Sequence, residues 1–162
     1  MEELIIILIL IFVFGFGINF ETGMFEDVVV PDIRDGDWDI EDNKIAGNSE
    51  INIIRENENI KKKFREEIAG NSTTNIITKN GNIYVVFEEK ISGNADINIE
   101  SERGNIFVKF ERKVTNNVDI NIKSDRGNIV FVNDEYLIND YINKGVFNVS
   151  AGGNVRFKNQ FK

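Results

Sequence analysis

The sequence contains no histidine and no cysteine. The usual nucleophile–base pairs of enzymes therefore cannot be assembled, and a zinc site would have to be built from carboxylates alone. A disulfide framework is also excluded, although this says nothing about the cellular compartment. A glycine-rich phosphate-binding loop is missing as well. We therefore predict that the protein is not an enzyme and has no catalytic residues, cofactor or metal ligands.

Basic side chains are scarce. The chain has 19 lysine and arginine residues against 27 aspartate and glutamate residues, which leaves a formal charge of -8 at pH 7. No stretch concentrates positive charge on one face. Nucleic-acid binding normally needs a basic patch that displaces counterions from the phosphates, so the sequence indicates no nucleic-acid partner.

Proline occurs only once, as Pro31, whereas isoleucine, valine and phenylalanine supply most of the apolar side chains and asparagine is abundant. Branched and aromatic side chains fit a pleated surface, so this composition favours strands over helices. The length of 162 residues is enough for one domain, since domains run to roughly 100–200 residues.

An unbroken apolar run extends from Leu4 to Phe14. It is shorter than the about 20 residues of a membrane-spanning helix and fits the about 7–15 residues of a secretory signal core. Gly15–Gly17 has the small-x-small form of a cleavage site. We predict that residues 1–17 are a signal peptide or a membrane anchor. Because the chain begins with the acidic pair Glu2-Glu3, the alternative is a buried strand or helix of the fold, or a cap on its open end.

The rest of the chain repeats with a period of 23 residues and no insertion. Within a unit apolar residues alternate, which predicts strands with one buried face. The repeat domain spans residues 47–162, with units that start at Gly47, Gly70, Gly93, Asn116 and Asn139. The apolar columns are Ile53, Ile76, Ile99 and Ile122; Ile60, Ile83, Ile106 and Ile129; Phe64, Phe87 and Phe110; and Ile45, Ile68, Ile91, Val114 and Leu137.

Two architectures fit this repeat. In a β-solenoid each unit is one coil and equivalent residues stack about 4.8 Å apart, whereas in an antiparallel meander each unit is a hairpin. Three asparagine columns favour the solenoid, because stacked amides can form hydrogen-bond ladders. They are Asn48, Asn71, Asn94 and Asn117; Asn52, Asn75, Asn98 and Asn121; and Asn59, Asn82, Asn105 and Asn128. We predict an all-β solenoid of about five coils, with the meander as the alternative.

A tight turn is predicted between the two strands of each unit. Ser101–Gly104 and Ser124–Gly127 share the pattern S-x-x-G, and Thr78–Gly81 follows it loosely. We expect the glycine to take a positive φ. Glu58 occupies this glycine position in the first unit, so that turn is expected to be distorted.

The repeat weakens at both ends, as expected of a capped stack. Val28 and Val30 fall 23 residues before Ile51 and Ile53. Residues 18–46 are therefore predicted to be an acidic linker that includes a degenerate first coil. Near the C-terminus, a compressed version of the repeat occupies residues 147–155.

Two units carry the clearest pattern, I-N-I-x-S-x-x-G-N-I, at Ile97–Ile106 and Ile120–Ile129. With weaker copies on either side, residues 51–157 resemble a bacterial and archaeal family described as adhesins with a β-helical domain, long classed as a domain of unknown function. The resemblance implies an envelope-associated β-helix with an adhesive role, and the family has no catalytic residues to carry over.

Carboxylates are the remaining candidates for chemistry. Asp96 and Asp119 share a column, as do Glu102 and Asp125, and a glycosidase would need two such acids about 5–10 Å apart. We interpret them as solvated surface charges, because a solenoid this small offers no deep cleft.

The acidic segment of residues 26–42 has the oxygen ligands that calcium prefers, but it lacks the glycine and the distal glutamate of a calcium loop. Asp35, Asp37 and Asp39 alternate along the chain. We therefore interpret them as one solvated strand face, with Trp38 and Ile40 pointing inward.

The sequence thus predicts a non-catalytic, exported or membrane-anchored protein of the cell surface that acts as an adhesive or binding module. Its partner would be a surface glycan or a protein, and membrane contact would involve only residues 1–17. The alternative is a structural subunit that binds itself through the ends of the solenoid and the apolar N-terminus, because unpaired strand edges invite pairing.

Overall fold

The computed structural model describes residues 38–158, and this part of the chain is a β-solenoid. The predicted fold class is therefore confirmed. The meander alternative is wrong, because the paired strands all run parallel. The apolar segment of residues 1–17, together with Val28 and Val30 of the predicted opening coil, lies outside the described residues.

The described strands form two parallel sheets, and one helix interrupts them. In chain order the elements are β1 (Asp39–Glu41), β2 (Glu50–Arg55), β3 (Ile60–Phe64), β4 (Thr73–Thr78), β5 (Ile83–Phe87), β6 (Asp96–Ser101), β7 (Ile106–Phe110), β8 (Asp119–Ser124), β9 (Ile129–Phe131), α1 (Glu135–Asn143), β10 (Phe147–Ala151) and β11 (Val155–Phe157). Sheet 1 has the order β1-β3-β5-β7-β9-β11, and sheet 2 has the order β10-β8-β6-β4-β2.

Equivalent residues of successive units lie directly beside each other. Ile99, for example, pairs with Ile76 of the preceding coil and with Ile122 of the following coil. Each coil gives one strand to each sheet, and a third line of parallel pairing joins single residues at the remaining side. That line consists of Ile45, Ile68, Ile91 and Val114. The period of the sequence is therefore the circumference of one coil.

The core lies between the two sheets, because alternate side chains of every strand point inward. Ile76, Ile99 and Ile122 of sheet 2 are almost completely buried. In sheet 1 the ring of Phe87 stacks on that of Phe64 and on that of Phe110, with ring centroids 5.1 Å apart in both pairs. Burying one such side chain contributes about 1.5–3 kcal/mol to stability, so the stacked columns supply the main driving force.

The turn glycines differ from the prediction. Gly81, Gly104 and Gly127 do not have a positive φ, which instead occurs at the unit-starting glycines Gly47, Gly70 and Gly93 and at Gly145. A Cβ atom on Gly104 would collide with the carbonyl oxygen of Gly81 in the preceding coil. The turn needs glycine because the coils approach closely there, and a special backbone conformation is not required.

The predicted inward position of Trp38 and Ile40 is also wrong. The register of β1 on β3 places Asp39 beside Lys62 and Glu41 beside Phe64, and both of these β3 residues belong to inward columns. Ile40 consequently lies on the outer surface and is 38% exposed. The reason is Lys62, whose buried ammonium group needs the two carboxylates as partners, at 3.2 Å from Asp39 and 3.7 Å from Glu41.

Helix α1 interrupts the repeat at the C-terminal end. Asn139, where the fifth unit was expected to begin, lies inside α1, and Leu137 of the predicted fourth apolar column is 37% exposed on it. Asp134 starts the helix by accepting hydrogen bonds from the backbone N–H groups of Tyr136 and Leu137. The inward side chain is Tyr141, whose hydroxyl oxygen accepts a hydrogen bond from the Val114 N–H at 3.1 Å.

The insertion lengthens the last coil. The ladder partner of Asn121 in β10 is Asn148, 27 residues later, and the ladder partner of Asn128 before β11 is Asn154, 26 residues later. The parallel register nevertheless continues, and Phe147 packs on Phe110 with ring centroids 5.0 Å apart. The helix is therefore accommodated outside the stacking of the two sheets.

Candidate functional site

The outer surface of sheet 2 carries a regular polar array, which we call the asparagine face. Since Ile97 and Ile99 of β6 point into the core, Asp96, Asn98 and Glu100 must point outward. The same alternation applies to every strand of the sheet. The central column of the face is Asn52, Asn75, Asn98, Asn121 and Asn148. The flanking columns are Glu50, Thr73, Asp96 and Asp119 on one side and Ile54, Ile77, Glu100, Lys123 and Ser150 on the other.

The central column is a continuous ladder of side-chain hydrogen bonds. The amide of each asparagine donates to the side-chain oxygen of the asparagine in the preceding coil: 2.8 Å from Asn75 to Asn52, 2.9 Å from Asn98 to Asn75, 3.0 Å from Asn121 to Asn98 and 3.1 Å from Asn148 to Asn121. All four bonds point the same way, so the amide dipoles polarise one another. The face is therefore an ordered row of identical polar groups.

The surroundings of the ladder are mainly acidic. Lys123 is the cation of the two flanking columns, and its ammonium group lies 3.3 Å from Glu100 and 2.9 Å from Asp125. The hydrogen bond to Asp125, followed by the one to Glu100, raises the pKa of Lys123, so this lysine stays protonated. Its charge is compensated locally, and the face keeps a negative character.

The predicted carboxylate pairs do lie together, but each acid already has a partner. Asp96 and Asp119 are adjacent in the register of β6 and β8, and Asp119 accepts a hydrogen bond from the Asn148 amide at 3.0 Å. Glu102 forms an ion pair with Arg103 at 3.5 Å, and Asp125 binds Lys123. All four acids lie on the surface, as the interpretation as solvated charges expects.

A second asparagine ladder serves the turns. The side-chain oxygen of Asn82 accepts a hydrogen bond from the backbone N–H of Asn105 at 2.8 Å, and Asn105 accepts one from the backbone of Asn128 at 2.8 Å. The series starts at Asn59 and ends at Asn154. These side chains complete the backbone bonding between coils, so this column is structural.

The third predicted column forms a looser ladder on the exposed side. Asn71 donates to Asn48 at 3.4 Å, and Asn94 donates to Asn71 at 3.1 Å. The prediction of stacked asparagine amides is thus confirmed in all three columns. The sequence alone did not identify the last members of the ladders, Asn148 and Asn154, because they lie after the insertion. The local patterns F-N-V and G-N-V around them were the available signal.

The acidic segment provides no assembled metal site in its described part. Asp35 and Asp37 lie outside the described residues. Asp39 is paired with Lys62, and Asp42 lies 3.5 Å from Arg65. Across residues 38–158, no three acidic side chains are grouped as metal ligands.

Within the same residues there is no helix with the length and apolar character needed to cross a membrane. Comparisons of the chain with protein-family models, with curated proteins and with solved structures find no match.

Proposed function

We propose that the protein is a non-catalytic binding module of the cell surface, and that the asparagine face is its binding surface. The observation that carries this proposal is the ladder from Asn52 to Asn148. A side-chain amide has two N–H donors and two acceptor positions. In the ladder each inner asparagine uses one donor and one acceptor, so one of each is left for a ligand.

A glycan suits this surface better than the other ligand classes. Sugar hydroxyls donate and accept hydrogen bonds, as amides do, and the ladder repeats its groups at the strand spacing of about 4.8 Å. Neutral amides are also easier to strip of water than charged groups. The acidic flanks, including Asp96 and Asp119, favour neutral or amino sugars over sulfated or phosphorylated ones. A location at the cell envelope belongs to the same proposal, supported by the resemblance to β-helical adhesins.

The test is binding of the purified full-length chain to a panel of neutral, amino and acidic glycans. The variant Asn98→Ala/Asn121→Ala removes the middle of the ladder, and we expect it to weaken binding at least tenfold. The matched control is Asn71→Ala/Asn94→Ala, which removes the same groups from the exposed ladder outside the face and should bind as the parent does. Circular dichroism checks that both variants fold. Binding by neither parent nor variants, or equal loss in both variants, contradicts the proposal.

We also propose self-assembly as a second candidate function, because one end of sheet 2 is open in the described residues. The N–H of Thr73 donates to Ser49 of the preceding coil at 2.9 Å. By the same register, Glu50, Asn52 and Ile54 direct their backbone groups to the free edge of β2. Ile54 is 57% exposed there, and an unpaired edge with an apolar side chain invites pairing.

Light scattering over a range of protein concentrations tests this second candidate. We expect a concentration-dependent increase in mass that Ile54→Lys abolishes, since a charged edge resists pairing. Ile77→Lys, in the same outward column but away from the edge, is the matched control. A mass that is independent of concentration in the parent protein contradicts self-assembly.

A further inference from the structure

The outer surface of sheet 1 has a buried apolar column. Tyr84 of β5, Phe107 of β7 and Val130 of β9 pair side by side in the register and are 6%, 4% and 0% exposed. Their neighbours Ile83, Val85 and Val108 point into the core, so these three side chains must point outward. They form a cluster of their own, separate from the main core, with Trp38 packed against it. We call Tyr84, Phe107 and Val130 the outer column.

Such burial is not the ordinary result of an outward position in this solenoid. Lys61, which precedes Tyr84 in the same column, is exposed, and Asn98 on the outer surface of sheet 2 is only partly buried. All five residues of β5 are buried, whereas burial alternates along β4. A second layer of atoms therefore covers sheet 1 between β5 and β9.

The described elements do not supply this layer. Helix α1 packs against β10, and its buried residues Ile138 and Tyr141 belong to the main core. Trp38 touches the cluster from the side of β1 and is itself only partly buried. The covering atoms must then come from residues 1–37 or residues 159–162 of the same chain.

These two segments differ in what they can cover. Residues 159–162 contain one large apolar side chain, Phe161, which cannot cover a tyrosine, a phenylalanine and a valine on three successive strands. Residues 1–37 contain the uncharged run Leu4–Phe14. The favourable free energy of removing apolar surface from water is about 25 cal/mol per Å², and it applies to both partners of such a contact.

We infer that Leu4–Phe14 packs across the outer column and forms a second apolar layer on sheet 1. The run is then a part of the folded protein, which matches the alternative reading of the sequence and competes with its prediction as a signal peptide or membrane anchor. Desolvation raises the pKa of Tyr84, against a smaller opposing effect of its hydrogen bond with Asn82. A phenol under a layer of protein behaves in this way.

Photo-cross-linking tests the contact directly. p-Benzoylphenylalanine in place of Phe107 is introduced into the full-length chain, which is irradiated and digested with a protease that cleaves after glutamate. Because Glu3 and Glu21 flank the run, its peptide is residues 4–21. We expect a cross-link to this peptide within the same chain. p-Benzoylphenylalanine in place of Asn98 is the control and should not reach it.

The other outcomes each overturn the inference. Mixing isotopically light and heavy chains identifies a cross-link between two chains, which would assign the outer column to a second copy. A cross-link to added phospholipid vesicles would assign it to a membrane. A cross-link from Phe107 to no residue of the run, or loss of residues 1–17 from the purified protein, also contradicts it.

A titration covers the case in which the photo-cross-linker disturbs the fold. The variant Ile7→Lys/Leu8→Lys places charge in the run, and tyrosine NMR measures each phenol at alkaline pH. We expect the pKa of Tyr84 to fall towards its ordinary value of 10.0 when the layer is displaced. Tyr136, exposed on α1, is the internal control. An unchanged Tyr84 titration in a folded variant contradicts the inference.

Discussion

The hydroxyl of Ser101 donates a hydrogen bond to the carbonyl oxygen of Gly81 in the preceding coil, at 2.9 Å. The same oxygen accepts a hydrogen bond from the N–H of Gly104, three residues later, at 2.8 Å. Ser124 repeats the arrangement one coil further, with Gly104 and Gly127. The S-x-x-G pattern is therefore a link between coils: the serine ties each turn to the one before it, and the glycine lets the two turns approach.

Replacing Ser101 by alanine should be clearly destabilising. The variant leaves the buried Gly81 carbonyl and the Gly104 N–H without their partner, and each such group costs about 1–3 kcal/mol. Urea denaturation should show a loss of free energy of unfolding in this range. Ser150→Ala, at an exposed position on β10, should be nearly neutral. A Ser101→Ala variant as stable as the parent would refute the link.

The two kinds of glycine should respond differently to alanine. In Gly104→Ala the new Cβ meets the backbone of Gly81, whereas at Gly47 the Cβ has open space and only the φ of +73° is unfavourable. Gly47→Ala should cost about 1–2 kcal/mol, the usual penalty for a left-handed conformation. We expect the loss in Gly104→Ala to be at least twice as large, or folding to fail. Thermal and urea unfolding measure both, and equal losses would contradict the close approach.

Thr74 should be improved by removing its hydroxyl. The Oγ1 atom of Thr74 is buried in the core and makes no hydrogen bond within the described residues, while its column neighbours are Ile51 and Ile97. Thr74→Val keeps the shape and removes an unsatisfied polar group, which should increase the free energy of unfolding by about 1 kcal/mol or more.

The control for Thr74 is Thr78→Val in the same strand. The Thr78 hydroxyl donates to the Glu58 carbonyl at 3.0 Å, so this variant should be less stable than the parent. A shift of the same sign in both variants, measured by urea denaturation, would show that hydrogen bonding does not decide the effect.

Glu67 should make stability depend on pH in the acidic range. Its carboxylate accepts hydrogen bonds from Lys44 at 2.8 Å and from Ser92 at 2.8 Å, which joins three successive coils. The bond from Lys44, and next that from Ser92, lower the pKa of Glu67 below its ordinary value of 4.5. A lowered folded-state pKa stabilises the protein above the unfolded value, and this contribution disappears as the pH falls through the folded value.

The difference in unfolding free energy between the parent and Glu67→Gln should therefore be largest near pH 7 and shrink below pH 4.5, the ordinary value for this group. Ser92→Ala should reduce this pH-dependent part without abolishing it, because Lys44 remains. Urea denaturation between about pH 3 and pH 7 checks both. A difference that is constant over this range would argue against a stabilising ionised Glu67.

Much of the fold could be predicted from the sequence, because a stack of coils writes each structural position into the chain repeatedly. Ile76, Ile99 and Ile122 were recognisable as one buried column since they recur at the same offset. The asparagine ladders were predictable for the same reason. The helix was not, because α1 occurs once and its first residues continue the numbering of the fourth apolar column up to Leu137.

Single contacts between coils were also beyond the sequence. Glycine in S-x-x-G suits both a positive φ and a close approach, and only the position of the Gly81 carbonyl distinguishes the two. The alternation in β1 predicted a solvated face for Asp39, but the buried Lys62 of the next coil draws its carboxylate to the inward side. In both cases the cause is a residue one coil away, which local patterning does not contain.

The sequence by itself determined the period of the coil, the parallel stacking and the identity of the inward columns, because these follow from residue spacing and from apolar burial. Only the tertiary structure decided which outward surfaces are free. The asparagine face of sheet 2 is accessible, whereas Tyr84, Phe107 and Val130 occupy equally outward positions on sheet 1 and are buried. Strand alternation specifies where a side chain points. What covers it depends on the whole chain, since burial is a property of all the atoms that pack around it.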